Sequence, residues 1–173
     1  MLSNPSHDKK RIEMRAGDLL VDCYKWILDH EAYQALLKKE YHLLWIKGDP
    51  GKGKTMLLCG IINEMYAIPA VGYFFCQATY DQNSTATAVL RGLLWMLADH
   101  NRQLIRHIKA EVDRSSGNIF KEANSFIALS DILLEVFGHL EDVILIVDAL
   151  DECVDGRNDL LAFINKTSAI SQC

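Results

Sequence analysis

Eight consecutive residues, Gly48-Asp49-Pro50-Gly51-Lys52-Gly53-Lys54-Thr55, satisfy the spacing G-x-x-x-x-G-K-[ST] in full. The chemistry of a phosphate cradle explains each residue type. Glycines let the backbone curl until several N–H groups point at one anion. A helix that starts at the end of the loop adds its positive end to the same anion. Lys54 would reach the β- and γ-phosphates, and the Thr55 hydroxyl would be a Mg²⁺ ligand. Lys52 lies in the loop with its side chain directed to solvent. Gly60, in the helical pattern that follows, reads as a close-packing residue rather than a chemical one.

A second constellation lies about ninety residues downstream. Residues 144–152 read Ile-Leu-Ile-Val-Asp-Ala-Leu-Asp-Glu. An apolar strand delivers Asp148 at its carboxyl end, the edge of a parallel α/β sheet where ligands bind. Asp148 suits the role of holding Mg²⁺ directly or through water. Asp151 and Glu152 follow one short turn later. Glu152 is the expected group to orient or deprotonate an attacking water, with Asp151 supporting the metal site. Three acids within five residues repel one another unless a cation is near. A Mg²⁺-nucleotide needs both the loop and the acid, so each motif strengthens the other.

Such a pair of motifs needs an alternating α/β scaffold, and the hydrophobic pattern predicts one. Residues 41–47 (YHLLWIK) form a short apolar run before the loop and read as a buried strand. A helix is predicted over 55–66, ending before Pro69. Residues 71–77 (VGYFFCQ) read as a second strand. Asn83-Ser84-Thr85 offers N-caps for a helix whose apolar face runs from Ala86 to Leu97. Further helices are predicted around 104–112, 124–140 and 159–168, and residues 114–118 read as a loop. Residues 143–147 (VILIV) are the strongest strand signal. Leu19, Leu20, Cys23, Tyr24, Ile27 and Leu28 fall at helical spacing, and residues 1–10 read as a loose lead-in. The class is α/β with a parallel sheet. The tryptophans Trp26, Trp45 and Trp95, with Phe74 and Phe75, read as core residues.

Composition narrows the function further. The 173 residues carry 18 Lys+Arg against 23 Asp+Glu, a formal charge of −5, with 50% hydrophobic and 24% charged residues. That describes a folded domain and lacks the basic stripe of a nucleic-acid binder. The longest apolar run is far short of the roughly 18–20 residues that cross a bilayer. The N-terminus shows no apolar core of a secretory signal, and a cytoplasmic location is expected. Five cysteines without a CxxC pair argue against a disulfide framework or a zinc knuckle and read mostly as small buried hydrophobes. Six scattered histidines form no HExxH pattern.

WIKGDPGKGKT at 45–55 and ILIVDALDEC at 144–153 closely resemble the NACHT nucleotide-binding domains of fungal NOD-like receptors, also described as nephrocystin-3-like N-terminal domains. HDKKRI at 7–12, YKWIL at 24–28, YFFCQAT at 73–79, TAVLRGLLWML at 87–97 and IALSDIL at 127–133 also look like family segments. The resemblance implies a three-layer α/β/α P-loop NTPase fold of the STAND signalling class. It divides the chain into a lead-in over 1–16 and a partial NACHT domain over 17–173. It also implies a nucleotide switch with ATP or GTP and Mg²⁺ as ligands, Walker A at 48–55 and a NACHT-type Walker B at Asp148. Arg11 and Ile12 would fall where the family contacts the base, although packing alone explains both. Members act in heterokaryon incompatibility and programmed cell death. An effector domain usually precedes the module and repeats follow it.

The family's next strand, which carries the sensor 1 arginine, and its C-terminal subdomains are missing before Cys173, so the fold is expected to be incomplete and hydrolysis weak or absent. Without that strand, exposed sheet edges would leave the chain marginal or paired with another. The alternatives are an active NTPase, a small-molecule kinase, or a non-catalytic fragment that pairs with itself or with related NACHT proteins. The missing arginine weighs against the first. The second would need a clustered-arginine lid, whereas the arginines over 91–114 fit a solvated helical face.

Overall fold

The computed structural model describes residues 4–17, 21–65, 67–68, 70–114 and 125–170. The order of elements is α1 (Pro5–Ala16), a 3₁₀ turn (Val21–Cys23), α2 (Lys25–Leu28), α3 (Glu31–Leu37), α4 (Lys54–Glu64), β1 (Ala70–Phe75), a 3₁₀ turn (Asp81–Asn83), α5 (Ala86–His100), α6 (Leu104–Arg114), α7 (Ser125–Phe137), β2 (Val143–Asp148), a 3₁₀ turn (Leu150–Glu152) and α8 (Arg157–Ile170). The class is mixed α/β, as the alternation predicts.

β1 and β2 pair in parallel, in register from Ala70 opposite Val143 to Phe75 opposite Asp148. Parallel neighbours require a long crossover, and α5, α6 and α7 supply it. Every residue of β1 is buried, as expected of a parallel strand covered on both faces. Period-two alternation sends its side chains into two cores. Phe74 packs with Leu90, Leu93 and Leu97 of α5, Leu129 and Leu133 of α7, and Leu160 and Phe163 of α8. Val71, Tyr73 and Phe75 pack with Leu57, Cys59, Ile61 and Ile62 of α4 and with Tyr24, Ile27 and Tyr33.

Local signals explain most boundaries. Thr85 sits in extended backbone, and its hydroxyl accepts the Ala88 N–H at 3.1 Å, capping α5 as predicted. Ser84 and Ala86 also bond the segment after β2: Ala86 N–H donates to the Asp155 carbonyl at 2.9 Å and Val154 N–H to the Ser84 carbonyl at 2.8 Å. This seam ties the start of α5 to the chain just beyond Asp148. Gly60 and Gly92 permit close approaches. A Cβ on Gly60 would lie 2.2 Å from Cγ of Tyr24, and one on Gly92 2.3 Å from Cδ2 of Phe74.

Four expectations require correction. Residues 5–10 are the first turns of α1 rather than a loose lead-in. Asn4 caps that helix, Pro5 occupies its first turn, and buried Lys9 bonds Glu13 and Asn63, each at 2.6 Å, joining α1 to α4. The apolar pattern near Tyr24 is broken into a 3₁₀ turn and one turn of α2. Residues 41–47 form no strand, because no described strand lies alongside to bond their backbone. Their side chains still alternate: Leu44 and Ile46 pack on the second core, while Leu43 and Trp45 face solvent. The tryptophans are the fourth correction. Trp26, Trp45 and Trp95 are each 40% exposed or more, whereas Phe74 and Phe75 are core residues. The predicted loop at 114–118 lies outside the described residues except Arg114, which ends α6.

Candidate functional site

The loop that begins at Gly48 runs exposed to Gly53, where α4 begins. Gly51 has φ 75° and Gly53 φ 78°, both left-handed, and a Cβ at either would meet nothing within 4 Å. The backbone angle, not space, therefore demands glycine at both positions. Gly53 is the N-cap of α4 and offers no capping side chain, so the first-turn amides of α4 are not met by a cap. Lys54 folds back over the loop, and its Nζ donates to the Gly48 carbonyl at 2.6 Å and the Asp49 carbonyl at 2.9 Å. Lys52 is exposed, as expected.

β2 carries Asp148 to this loop. The Asp148 side chain is 6% exposed. The Thr55 side chain, the Ala149 amide and the Lys54 ammonium lie close enough to favour its charged form. Burial raises its pKa above the ordinary 3.8, and Thr55, the Ala149 amide and Lys54 oppose that shift. The two motifs, ninety residues apart in sequence, thus meet through Thr55 and Asp148. Directly after Asp148 the chain turns through Ala149 at φ 51°, a left-handed angle that costs an L-residue about 1–2 kcal/mol. The turn places Glu152 N–H 2.8 Å from the Ala149 carbonyl.

The other predicted residues are placed as follows. Asp151 and Glu152 are both exposed. A Glu152 carboxylate oxygen accepts the Ala78 N–H at 3.0 Å, bracing the turn after β1. The Asp151 carbonyl accepts from Arg157 at 3.3 Å. Arg11 is held by Asp8 at 2.8 Å and Gln77 at 3.0 Å, and its guanidinium lies 5.0 Å from the Tyr80 ring centre. Ile12 packs against the second core. Asp8, Gln77 and Tyr80 therefore surround a predicted residue without having been singled out themselves. Asp8 stands three residues before Arg11 on α1, a spacing visible in the sequence, whereas only the docking of α1 beside the end of β1 brings Gln77 and Tyr80 to it.

Cys59, Cys76 and Cys153 are buried and Cys23 is exposed, all as free thiols. Burial pushes Cys59 up to about 11 and Cys76 to about 12, so neither is a nucleophile near neutrality. No helix among the described residues is long and apolar enough to cross a membrane.

An α/β domain with a glycine loop at one helix start and a buried aspartate at a parallel strand end has a counterpart among known families. The nephrocystin 3, N-terminal, family matches residues 22–173, and the chain belongs to this NACHT-like family. The vegetative incompatibility protein HET-E-1 of Podospora anserina is 44% identical over 176 residues, spanning 98% of this chain. The chain covers 13% of that relative's length. No solved structure matches.

Proposed function

We propose that the chain is the Mg²⁺-dependent ATP- or GTP-binding module of a STAND-type signalling NTPase, with the three-layer P-loop fold of that class, working in the cytoplasm. The observation that carries this reading is the approach of Thr55 and Lys54, at the start of α4, to the buried Asp148 at the end of β2, which brings the loop and the strand-end acid together. The donor set fits a Mg²⁺-nucleotide. Mg²⁺ favours hard oxygen ligands, and Thr55 and Asp148 offer a hydroxyl and a carboxylate side by side. The left-handed glycines and the start of α4 suit a polyphosphate, and Lys54 supplies a cation over the same loop. When bound, Mg²⁺ would neutralise the charge of the β- and γ-phosphates.

The residues of the chain divide the remaining work. Residues 48–53 wrap the phosphates, Lys54 contacts the terminal ones, and Asp148 orients Thr55. Glu152 and Asp151 lie on the exposed side of the same turn, from which Glu152 could hold a water once released from the Ala78 amide. Signalling in vegetative incompatibility, by analogy with the relative's name, is part of the same proposal, as is association with related chains.

Fluorescent ATP and GTP analogues titrated into the purified chain, with and without Mg²⁺ and beside Lys54→Ala, test the reading. Mg²⁺-dependent binding that Lys54→Ala abolishes is expected. A folded chain that binds neither analogue refutes it.

A further inference from the structure

A second cluster lies well away from the phosphate loop in the sequence and plays no part in the function proposed above. His107 projects from α6, Glu135 from the last turn of α7, and His139 from the turn just after it. One ligand atom from each lies within 4.8 Å of the other two, and all three residues are exposed. Among the described residues this is the only group of three or more His, Cys, Asp or Glu so placed. The two imidazole rings stack with centres 4.1 Å apart and planes 27° from parallel. The backbone holds His139 in place, because its N–H bonds the Val136 carbonyl at 3.1 Å and so continues the last turn of α7.

We propose that His107, Glu135 and His139 bind a divalent transition-metal ion, Zn²⁺ by ligand chemistry, which ties α6 to the end of α7. Two imidazoles and one carboxylate form the three-ligand set that Zn²⁺ accepts, with water completing a tetrahedron. Mg²⁺ and Ca²⁺ prefer all-oxygen sites and are disfavoured here. At Zn–N and Zn–O bonds of about 2.0–2.1 Å, neighbouring ligand atoms sit roughly 3.4 Å apart. The three ligand atoms lie within 4.8 Å of one another, and all three side chains are exposed and free to rotate toward that spacing. Glu135 and His139 stand at i and i+4, the spacing that puts two ligands on one helical face.

The site also meets a structural need. α6 rests on the first core through Leu104, which is buried, and Ile108, which is half-buried, while Ile105 is 49% exposed. Among the described side chains of α6, Leu104 and Ile108 alone reach that core, and a metal tie to the neighbouring helix adds to them.

The test uses the full chain, freed of any affinity tag and reduced. Titration with ZnCl₂ in a calorimeter should give one equivalent bound, insensitive to millimolar Mg²⁺. His107→Ala and His139→Ala should each weaken binding at least tenfold, and Glu135→Gln less. CoCl₂ should give a visible d–d spectrum of a tetrahedral site without the near-ultraviolet thiolate band of a cysteine site. The three side chains are exposed, so the variants should keep the wild-type circular dichroism, and a Zn²⁺-dependent rise in melting temperature should vanish in them. Absence of binding overturns the proposal. So does binding that survives both histidine substitutions, or a cobalt spectrum with thiolate bands.

Discussion

Glycines that look alike in the sequence are required for different physical reasons, and alanine substitution separates them. Gly53 needs its left-handed φ of 78° but has empty space around it, whereas Gly60 sits where a Cβ would overlap the Tyr24 ring at 2.2, 2.4 and 2.7 Å. Gly53→Ala therefore incurs about 1–2 kcal/mol for the left-handed backbone. A stiffer unfolded chain offsets about 0.4–1 kcal/mol of that. The net loss is about 1 kcal/mol, or about 2–4 °C in melting temperature for a chain of this size. Gly60→Ala gains up to about 1 kcal/mol of helix propensity but forces a ring that has little room to retreat. Tyr24 is 5% exposed, and its hydroxyl is held by Glu64 of the same helix at 2.9 Å. Overpacking of that kind costs about 1–3 kcal/mol, and more where neither side yields.

The order in stability is thus wild type, then Gly53→Ala, then Gly60→Ala. The order in nucleotide affinity is different. The loop is exposed and can relax in the free Gly53→Ala chain, but it must regain the left-handed angle to wrap phosphate. The same strain of about 1–2 kcal/mol is divided between the two measurements: whatever part the free loop escapes by relaxing is missing from the melting shift and returns as weaker binding, up to roughly 5–30-fold. Gly60→Ala, measured below its melting point, should bind like the wild type. Calorimetric melts and anisotropy of a fluorescent ATP analogue read the two orders. A Gly53→Ala chain that melts and binds like the wild type refutes the reasoning, and so does a Gly60→Ala chain with unchanged stability.

Three further outcomes follow from the site. The folded state raises the pKa of Asp148, chiefly by burial, so folding binds its proton more tightly than the unfolded chain does. The stability this adds is complete below the ordinary 3.8 and is lost as pH rises through the folded value. Urea melts across that window should show the difference between wild type and Asp148→Asn falling with pH, and a difference that rises contradicts the burial argument. Lys54→Ala removes hydrogen bonds to two exposed carbonyls and the attraction to Asp148, so stability should fall by no more than about 1 kcal/mol while nucleotide binding disappears; a larger melting shift would show that the loop depends on that lysine to fold. Ala149→Gly relieves about 1–2 kcal/mol of left-handed backbone against about 0.4–1 kcal/mol of added chain entropy. It should be neutral to slightly stabilising in denaturant melts, and a clear loss would show that the methyl group is needed for packing.

The parts legible in the sequence are those whose signals are contiguous. The loop lies in eight adjacent residues, β2 in an unbroken apolar run ending at Asp148, and the start of α5 in a single capping residue, Thr85. Long-range features were hidden. Arg11 meets Gln77 and Tyr80 only when α1 docks. Residues 41–47 have a genuine period-two pattern, but a strand also needs a hydrogen-bonded neighbour, which no window of sequence supplies. The polar composition of α1 masked a helix that its cap, Asn4-Pro5, does announce. Glu135 and His139 show helical spacing, yet nothing local links them to His107. The tryptophans misled because large apolar residues are only buried on average.

The two bonds from Lys54 to the loop's own carbonyls turn anion entry into an exchange. An ammonium has three donors, and two are already spent on Gly48 and Asp49. An incoming anion must either make do with the third or displace a carbonyl that then needs water. A chloride ion, with one small surface to offer, gains little by that trade. A polyphosphate meets the lysine and the backbone amides at once, with many oxygens. On the proposed reading, the resting loop would discriminate by the number of acceptor atoms a visitor brings, before the shape of any base is tested.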